Sequence, residues 1–125
     1  MREIVTRTEK LSYTDDGIVK CIALPDILMG LDEAKENIEA VKSIANGKIV
    51  PVLVDITQSK GATKEARAYL ASAEVAKVQS ACGLLISSSL SQLIGNFFLG
   101  LNKTKFPVKL FKDEAKAIEW LKTFL

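Results

Sequence analysis

A continuous apolar run with strand-like composition lies in residues 49–56 and ends in an acid. It leads through Asp55 into a polar loop with one glycine, Gly61, and then into a helix start at Thr63. Such a run is typical of a parallel strand that is buried on both faces. Open α/β folds usually place their working surface at the carboxyl ends of these strands. The pattern therefore predicts a central strand over 49–56, with a candidate site in the loop that follows it.

The first third of the chain alternates between apolar and polar residues, which predicts an antiparallel meander. We expect strands over 3–10 and 11–14 and a more apolar strand from Gly17 to Leu24, which Pro25 ends. Asp15 and Asp16 precede Gly17, and Asp-Gly between two strand patterns is typical of a tight hairpin turn. This acidic pair is therefore interpreted as a turn and not as a metal site.

After residue 30, strand and helix patterns alternate, which predicts parallel strands joined by right-handed crossovers. Short apolar strands are expected over 81–87 and 107–112, and one helix is expected to break near Ser72. The predicted fold class is α/β, a single-domain mixed sheet in which the antiparallel meander forms the edge region. The predicted helix caps are Asp32, Thr63, Ser89 and Asp113. The predicted buried faces are Ala34, Ile38, Val41 and Ile44 or Ala45; Ala66, Tyr69, Leu70 and Ala73; and Ala117, Ile118, Leu121, Phe124 and Leu125.

Length and composition predict one compact domain. The 125 residues are 48% hydrophobic, with three prolines and seven glycines, and a chain of this length buries a single core. Seventeen basic and fifteen acidic residues alternate and leave a net charge of +2, so no basic patch indicates nucleic-acid binding. The start of the chain has no leader pattern, and no apolar run reaches the roughly 18 residues of a membrane span. We expect a cytoplasmic protein.

The chain contains no histidine and two cysteines, Cys21 and Cys82. Catalysis by Ser-His or Cys-His pairs is therefore excluded, and so is a zinc site with four Cys and His ligands. Both cysteines lie in apolar strand-like settings, where each is interpreted as a small core residue. We predict no catalytic residue, no metal site and no cofactor.

Three features together resemble a known family. They are the strand end Val54-Asp55-Ile56-Thr57, the polar loop with Gly61 before a helix, and the closing segment Lys109-Leu110-Phe111-Lys112-Asp113-Glu114-Ala115 with Ala117-Ile118-Glu119-Trp120-Leu121. The chain resembles STAS or anti-sigma-factor-antagonist domains over essentially its whole length. More narrowly, it resembles uncharacterised bacterial STAS-like proteins. The resemblance implies a STAS-like fold and a non-enzymatic role in regulation through protein contacts.

In phosphoregulated members of that family, the residue before the loop glycine accepts phosphate from a partner kinase. Here Lys60 occupies that position and cannot carry a phosphoester, so Ser59 and Thr63 are the remaining acceptors. The alternative is that Thr63 only caps the helix. Asp55 either faces a ligand or bonds its own loop, and Arg67 is expected to orient that loop. The predicted partner- or anion-binding loop is Asp55, Ser59, Lys60, Gly61, Thr63 and Arg67.

Residues 90–102 carry an apolar stripe that is wider than one sheet face requires. It is interpreted either as core or as a surface for an apolar ligand or a partner, formed by Leu90, Ile94, Phe97, Phe98 and Leu101. We predict a non-enzymatic STAS-like regulatory or interaction module that acts through loop 58–64 and helix 90–102, with a regulatory protein or a second copy as partner. The alternative is a carrier or sensor of a small apolar ligand between the sheet and helix 90–102. An enzyme that uses Asp55 with Lys60 or Arg67 is the weakest reading.

Overall fold

A computed structural model describes residues 2–87 and 104–125, and the six strands within them form one sheet in the order β1-β2-β3-β4-β5-β6. The strands are β1 (Glu3–Val5), β2 (Glu9–Tyr13), β3 (Val19–Ala23), β4 (Val50–Asp55), β5 (Gln79–Leu85) and β6 (Val108–Phe111). The helices described are α1 (Leu31–Ile44), α2 (Lys64–Leu70), α3 (Ala73–Ala76) and α4 (Glu114–Lys122). Strands β1 to β3 are antiparallel and β3 to β6 are parallel, which confirms the predicted mixed sheet with the meander at its edge.

The N-terminal meander differs from the prediction in one place, because the strand expected over 3–10 is interrupted between β1 and β2. The Thr6 hydroxyl accepts hydrogen bonds from the backbone amides of Thr8 and Glu9, at 3.3 and 3.0 Å. This local turn competes with the strand ladder, as threonine side chains often do. The predicted turn before β3 is confirmed, and its Gly17 adopts a φ of 86°.

Strand β4 lies in the middle of the parallel part of the sheet, between β3 and β5. Its residues Val50 to Leu53 are buried, which confirms the predicted central strand. Ile49 is 58% exposed, so the prediction was wrong for this first residue. The ladder between β4 and β5 begins only at Val50, and Ile49 precedes it.

Helices cover both faces of the parallel strands. On one face, α1, α2 and α3 pack over β3, β4 and β5, and on the other face α4 packs against Leu53 and its neighbours. Gly83 of β5 lies against α4, since a Cβ atom at that position would be in van der Waals contact with the Leu121 side chain, at 3.4 Å. A strand sheltered on two sides must be apolar throughout, which explains the continuous run in β4.

Most predicted helix boundaries are confirmed. Thr63 caps α2 and Asp113 caps α4, and the predicted break near Ser72 separates α2 from α3. The cap of α1 is Gly30 and not Asp32; the Glu33 carboxylate accepts a hydrogen bond from the Gly30 amide at 3.1 Å and so stabilises this helix start.

Two residues of the predicted buried faces are exposed. Ala73 lies beyond the end of α2 and Leu125 beyond the end of α4, so neither continues the apolar face of its helix. Among the helices of residues 2–87 and 104–125, none is long and apolar enough to cross a membrane. The helix predicted to begin at Ser89 lies outside the described residues.

Candidate functional site

A cavity of about 420 Å³ lies between the sheet and the helices α1 and α2. Strand alternation builds its floor, because successive side chains of a strand point to opposite faces. Val52 and Val54 of β4 face the cavity, whereas Leu53 between them packs towards α4. Parallel pairing places Cys82 beside Val52 and Leu84 beside Val54. The floor is therefore a continuous apolar surface on rigid strands.

Helix α1 forms one wall of the cavity with Asn37, Ile38 and Val41. These residues share one face of the helix because their spacing follows the helical period. The Asn37 amide donates a hydrogen bond to the Thr8 hydroxyl at 2.7 Å and accepts one from the Thr6 hydroxyl at 2.5 Å. The amide thus has partners within the protein, and it ties α1 to the meander.

The loop after β4 closes one end of the cavity through residues 59–62. Its backbone is held by the segment before α1, because the Met29 amide donates to the Gly61 carbonyl at 3.0 Å and the Thr63 amide donates to the Met29 carbonyl at 2.9 Å. Gly61 has a φ of 109°, a conformation that favours glycine. The loop is therefore an ordered wall whose glycine permits its path.

The predicted loop residues divide into two groups. Ser59, Lys60, Gly61 and Arg67 line the cavity, so the structure brings these four together. Asp55 instead accepts hydrogen bonds from the amide and the hydroxyl of Thr57, at 2.9 and 2.7 Å.

Two other polar groups of this loop, and Arg67 on α2, also bond the backbone. The Thr63 hydroxyl accepts from the Ala66 amide at 3.2 Å, and the Ser59 hydroxyl accepts from the Gly61 amide at 2.8 Å. Arg67 donates from Nη1 to the Ala62 carbonyl at 2.6 Å, which fixes its guanidinium group against the loop. These contacts stabilise the loop. In the described lining, Lys60, which is exposed, and Arg67 carry positive charge at this end of the cavity.

Glu9 is a cavity residue that sequence reasoning missed. It lies on β2 opposite Ala23, it lines the cavity, and only 6% of its surface is exposed. Burial raises the pKa of its carboxyl group to about 7. The sequence carried a sign of this position, because Glu9 and the buried Leu11 are two residues apart on one strand and therefore point to the same face of the sheet.

Cys21 and Cys82 are buried and free, as predicted, and both line the cavity. Burial raises the pKa of Cys82 to about 12 and that of Cys21 well above its usual value, and the nearby Glu9 carboxylate adds to both shifts. Because the thiolate is the reactive form, both side chains behave as small neutral groups.

The described lining suits binding better than chemistry. Among residues 2–87 and 104–125, no group of three or more His, Cys, Asp or Glu residues could hold a metal ion. Within the same part of the lining, Glu9 is the one carboxyl group, and the thiols beside it are neutral. The predicted second surface, formed by Leu90, Ile94, Phe97, Phe98 and Leu101, lies outside the described residues.

One solved structure agrees with this fold. A family model described as a domain of unknown function (DUF7793) matches residues 12–125. The structure is similar to that of an uncharacterised DUF3478-family protein with a SpoIIAA-like fold from Shewanella loihica PV-4. That match has 18% identity and a TM-score of 0.59 and covers 90% of this chain and 91% of the other. It confirms the predicted STAS-like fold and shows the fold alone.

A protein of unknown function from Arthrobacter sp. FB24 is also similar, with 26% identity over 95% of this chain and 96% of the other, but with a TM-score of 0.33. No curated protein matches the sequence.

Proposed function

The chain belongs to the DUF7793 family, and we propose that it is a non-enzymatic binding module that holds a small, largely apolar molecule between its sheet and helices α1 and α2. One observation carries this proposal, namely the cavity of about 420 Å³ on the sheet face. Protein interiors are normally packed without voids of this size. Ligand pockets have volumes of roughly 300 to 1,000 Å³ and are mostly apolar with a few polar groups.

The chemistry of the lining supports binding over turnover. Val52, Val54 and Leu84 present apolar surface from strands whose positions the ladder fixes. A preformed pocket of this kind binds without first paying the entropy of ordering its walls. The described lining offers no activated nucleophile, because burial keeps both thiols protonated.

A cavity-filling substitution tests the proposal. Val54→Phe places a larger side chain in the cavity, whereas Ile22→Phe makes a comparable addition on a strand residue that is 36% exposed and does not line it. We expect wild-type protein and Ile22→Phe to bind decanol and a hydrophobic fluorescent probe, and Val54→Phe to lose both. Native mass spectrometry of freshly purified protein would show whether a small molecule accompanies it. Equal binding by the two variants, or no binding by the wild type, would refute the proposal.

A second candidate function is protein contact through loop 58–64. The observation in its favour is that Gln58, Lys60 and Lys64 are exposed on a loop whose backbone is held by hydrogen bonds to residues 26–29. A fixed backbone with outward polar side chains loses little entropy when a regulatory protein or a second copy binds.

This second function is tested by charge reversal. We expect Lys60→Glu to weaken either self-association, measured by analytical ultracentrifugation over a concentration series, or retention of a partner captured from native lysate. Ser59→Ala and Ser59→Asp test phosphorylation at the loop in the same assays. If every association is unchanged in all three variants, the loop is not an interaction surface.

A further inference from the structure

Glu9 lies at one end of the cavity. Glu9 on β2 pairs with Ala23 on β3. The residue before Ala23, Ile22, pairs with Asp55 on β4, so Glu9 lies near the level of Ile56, at the carboxyl end of β4. The other end is marked by Gln79, which pairs with Val50. Val50 and Ile56 are six residue steps apart, which is about 20 Å at 3.3 Å per residue. The described lining is therefore elongated, with buried polar groups at its ends and apolar side chains between them.

The Glu9 carboxyl group has no hydrogen-bond partner among residues 2–87 and 104–125. Its own backbone is satisfied, since the amide donates to the Thr6 hydroxyl and the carbonyl accepts from the Thr6 amide. The polar groups next to it, Thr6, Thr8 and Asn37, bond one another. Buried polar groups in proteins almost always have a partner. Glu9 is 94% buried as a residue, and its carboxyl group faces the cavity without a hydrogen-bond partner in the described part of the chain, which indicates a ligand group at that place.

Within residues 2–87 and 104–125, Glu9 forms no ion pair. The thiols of Cys21 on β3 and Cys82 on β5, which are neutral, line the same cavity, and so does the amide of Asn37 on α1. The loop and α2 contribute Lys60 and Arg67 to the same lining. Burial is the cause of the raised pKa of Glu9. An ionised Glu9 would gain most from a positive charge brought by the ligand.

We propose that Glu9 recognises the ammonium group of an amphiphilic amine whose apolar body lies along β3, β4 and β5. This inference rests on the proposed function, because it names the ligand class of the same cavity. A ligand carboxylate would place a second negative charge beside Glu9, and like charges at close range repel. A neutral alcohol can share a hydrogen bond with Glu9 but cannot neutralise it. A charged pair with a hydrogen bond is the strongest of the three contacts.

Binding of an amine must release protons from Glu9 at low pH. An alkylammonium ion keeps its own proton in this range, since an amine of this kind has a pKa of about 10.4. With the pKa of Glu9 at about 7, about nine tenths of the carboxyl groups are protonated at pH 6 and about one tenth at pH 8. Amine affinity is therefore expected to rise by about tenfold between pH 6 and pH 8.

The experiment compares decylamine, decanol and decanoic acid by isothermal titration calorimetry at pH 6 and pH 8. Glu9→Gln keeps the shape of the side chain, and Glu119→Gln on the exposed surface of α4 is the matched control. We expect Glu9→Gln to weaken decylamine binding at pH 8 by roughly tenfold or more, as for loss of a hydrogen bond to a charged group. Decanol binding should be similar in all three proteins.

Proton release measured with the wild type alone gives a second, independent test. Titrations at pH 6 in two buffers of different ionisation enthalpy should report about 0.9 proton released per decylamine bound. The proposal is overturned if Glu9→Gln binds decylamine as well as the wild type does, if no proton is released, or if decanoic acid binds more tightly than decylamine. If decanol binds while any of these results is found, the cavity remains a binding site and only the proposal of an amine ligand is refuted. Failure of all three ligands to bind would refute both proposals.

Discussion

Replacing Glu9 by glutamine should change how the stability of the ligand-free protein depends on pH. In the folded protein, burial raises the pKa of Glu9 from its ordinary value of 4.5 to about 7. The folded state therefore binds more protons than the unfolded state between these values, and stability must fall as pH rises through this window. A shift of 2.5 units corresponds to about 3 kcal/mol when the group is fully ionised. Glutamine has no charge to desolvate and does not incur this cost.

The assay is urea denaturation of wild type and Glu9→Gln at pH 5 and pH 8. Fluorescence of the single tryptophan, Trp120, can follow unfolding because it packs between Phe111 and Phe124 on the opposite face of the sheet. From the two pKa values, the free energy of unfolding of Glu9→Gln should rise relative to the wild type by about 2.5 kcal/mol between pH 5 and pH 8. Glu119→Gln controls for the loss of one surface charge. A wild-type-to-variant difference that stays constant over this range would refute the burial of an unpaired carboxyl group.

Three further outcomes are expected. Leu121→Ala should lower the free energy of unfolding by about 2 to 5 kcal/mol in chemical denaturation, since Leu121 is fully buried, whereas the same change at Leu125, which is 67% exposed, should have little effect. Thr63→Ala should cost about 1 kcal/mol in the same assay, because the Thr63 hydroxyl caps α2; an unchanged stability would show that the cap is not needed. Cys21 and Cys82 should react with a thiol reagent at pH 8 only after unfolding, and rapid labelling of the native protein would contradict their burial.

Much of the fold follows from periodicity. The central strand, the meander, the caps at Thr63 and Asp113 and the break near Ser72 were predictable because apolar spacing and capping residues act locally. The errors in the predicted helix boundaries and buried faces also have local causes. Glu33 supports a helix start at Gly30 instead of Asp32, and helix ends leave Leu125 exposed, although it continued the apolar spacing.

The candidate site was predicted only in part. The polar loop after β4 follows from the rule that parallel strands deliver their carboxyl ends to one edge. Which of these residues face the cavity does not follow, because Ser59 and Asp55 are both polar and only their contacts in the folded loop separate their roles. The resemblance to STAS-like domains pointed to the correct fold, but it directed attention to the loop and away from β2.

Local sequence thus determined the kinds of elements and their order, because spacing and caps act within a few residues. Only the tertiary structure decided that Glu9, Cys82 and Arg67 surround one cavity, since they lie on β2, β5 and α2, which are far apart in the chain. The raised pKa of Glu9 has the same origin. Desolvation depends on what surrounds a side chain in space, and strand register and helix packing set that environment.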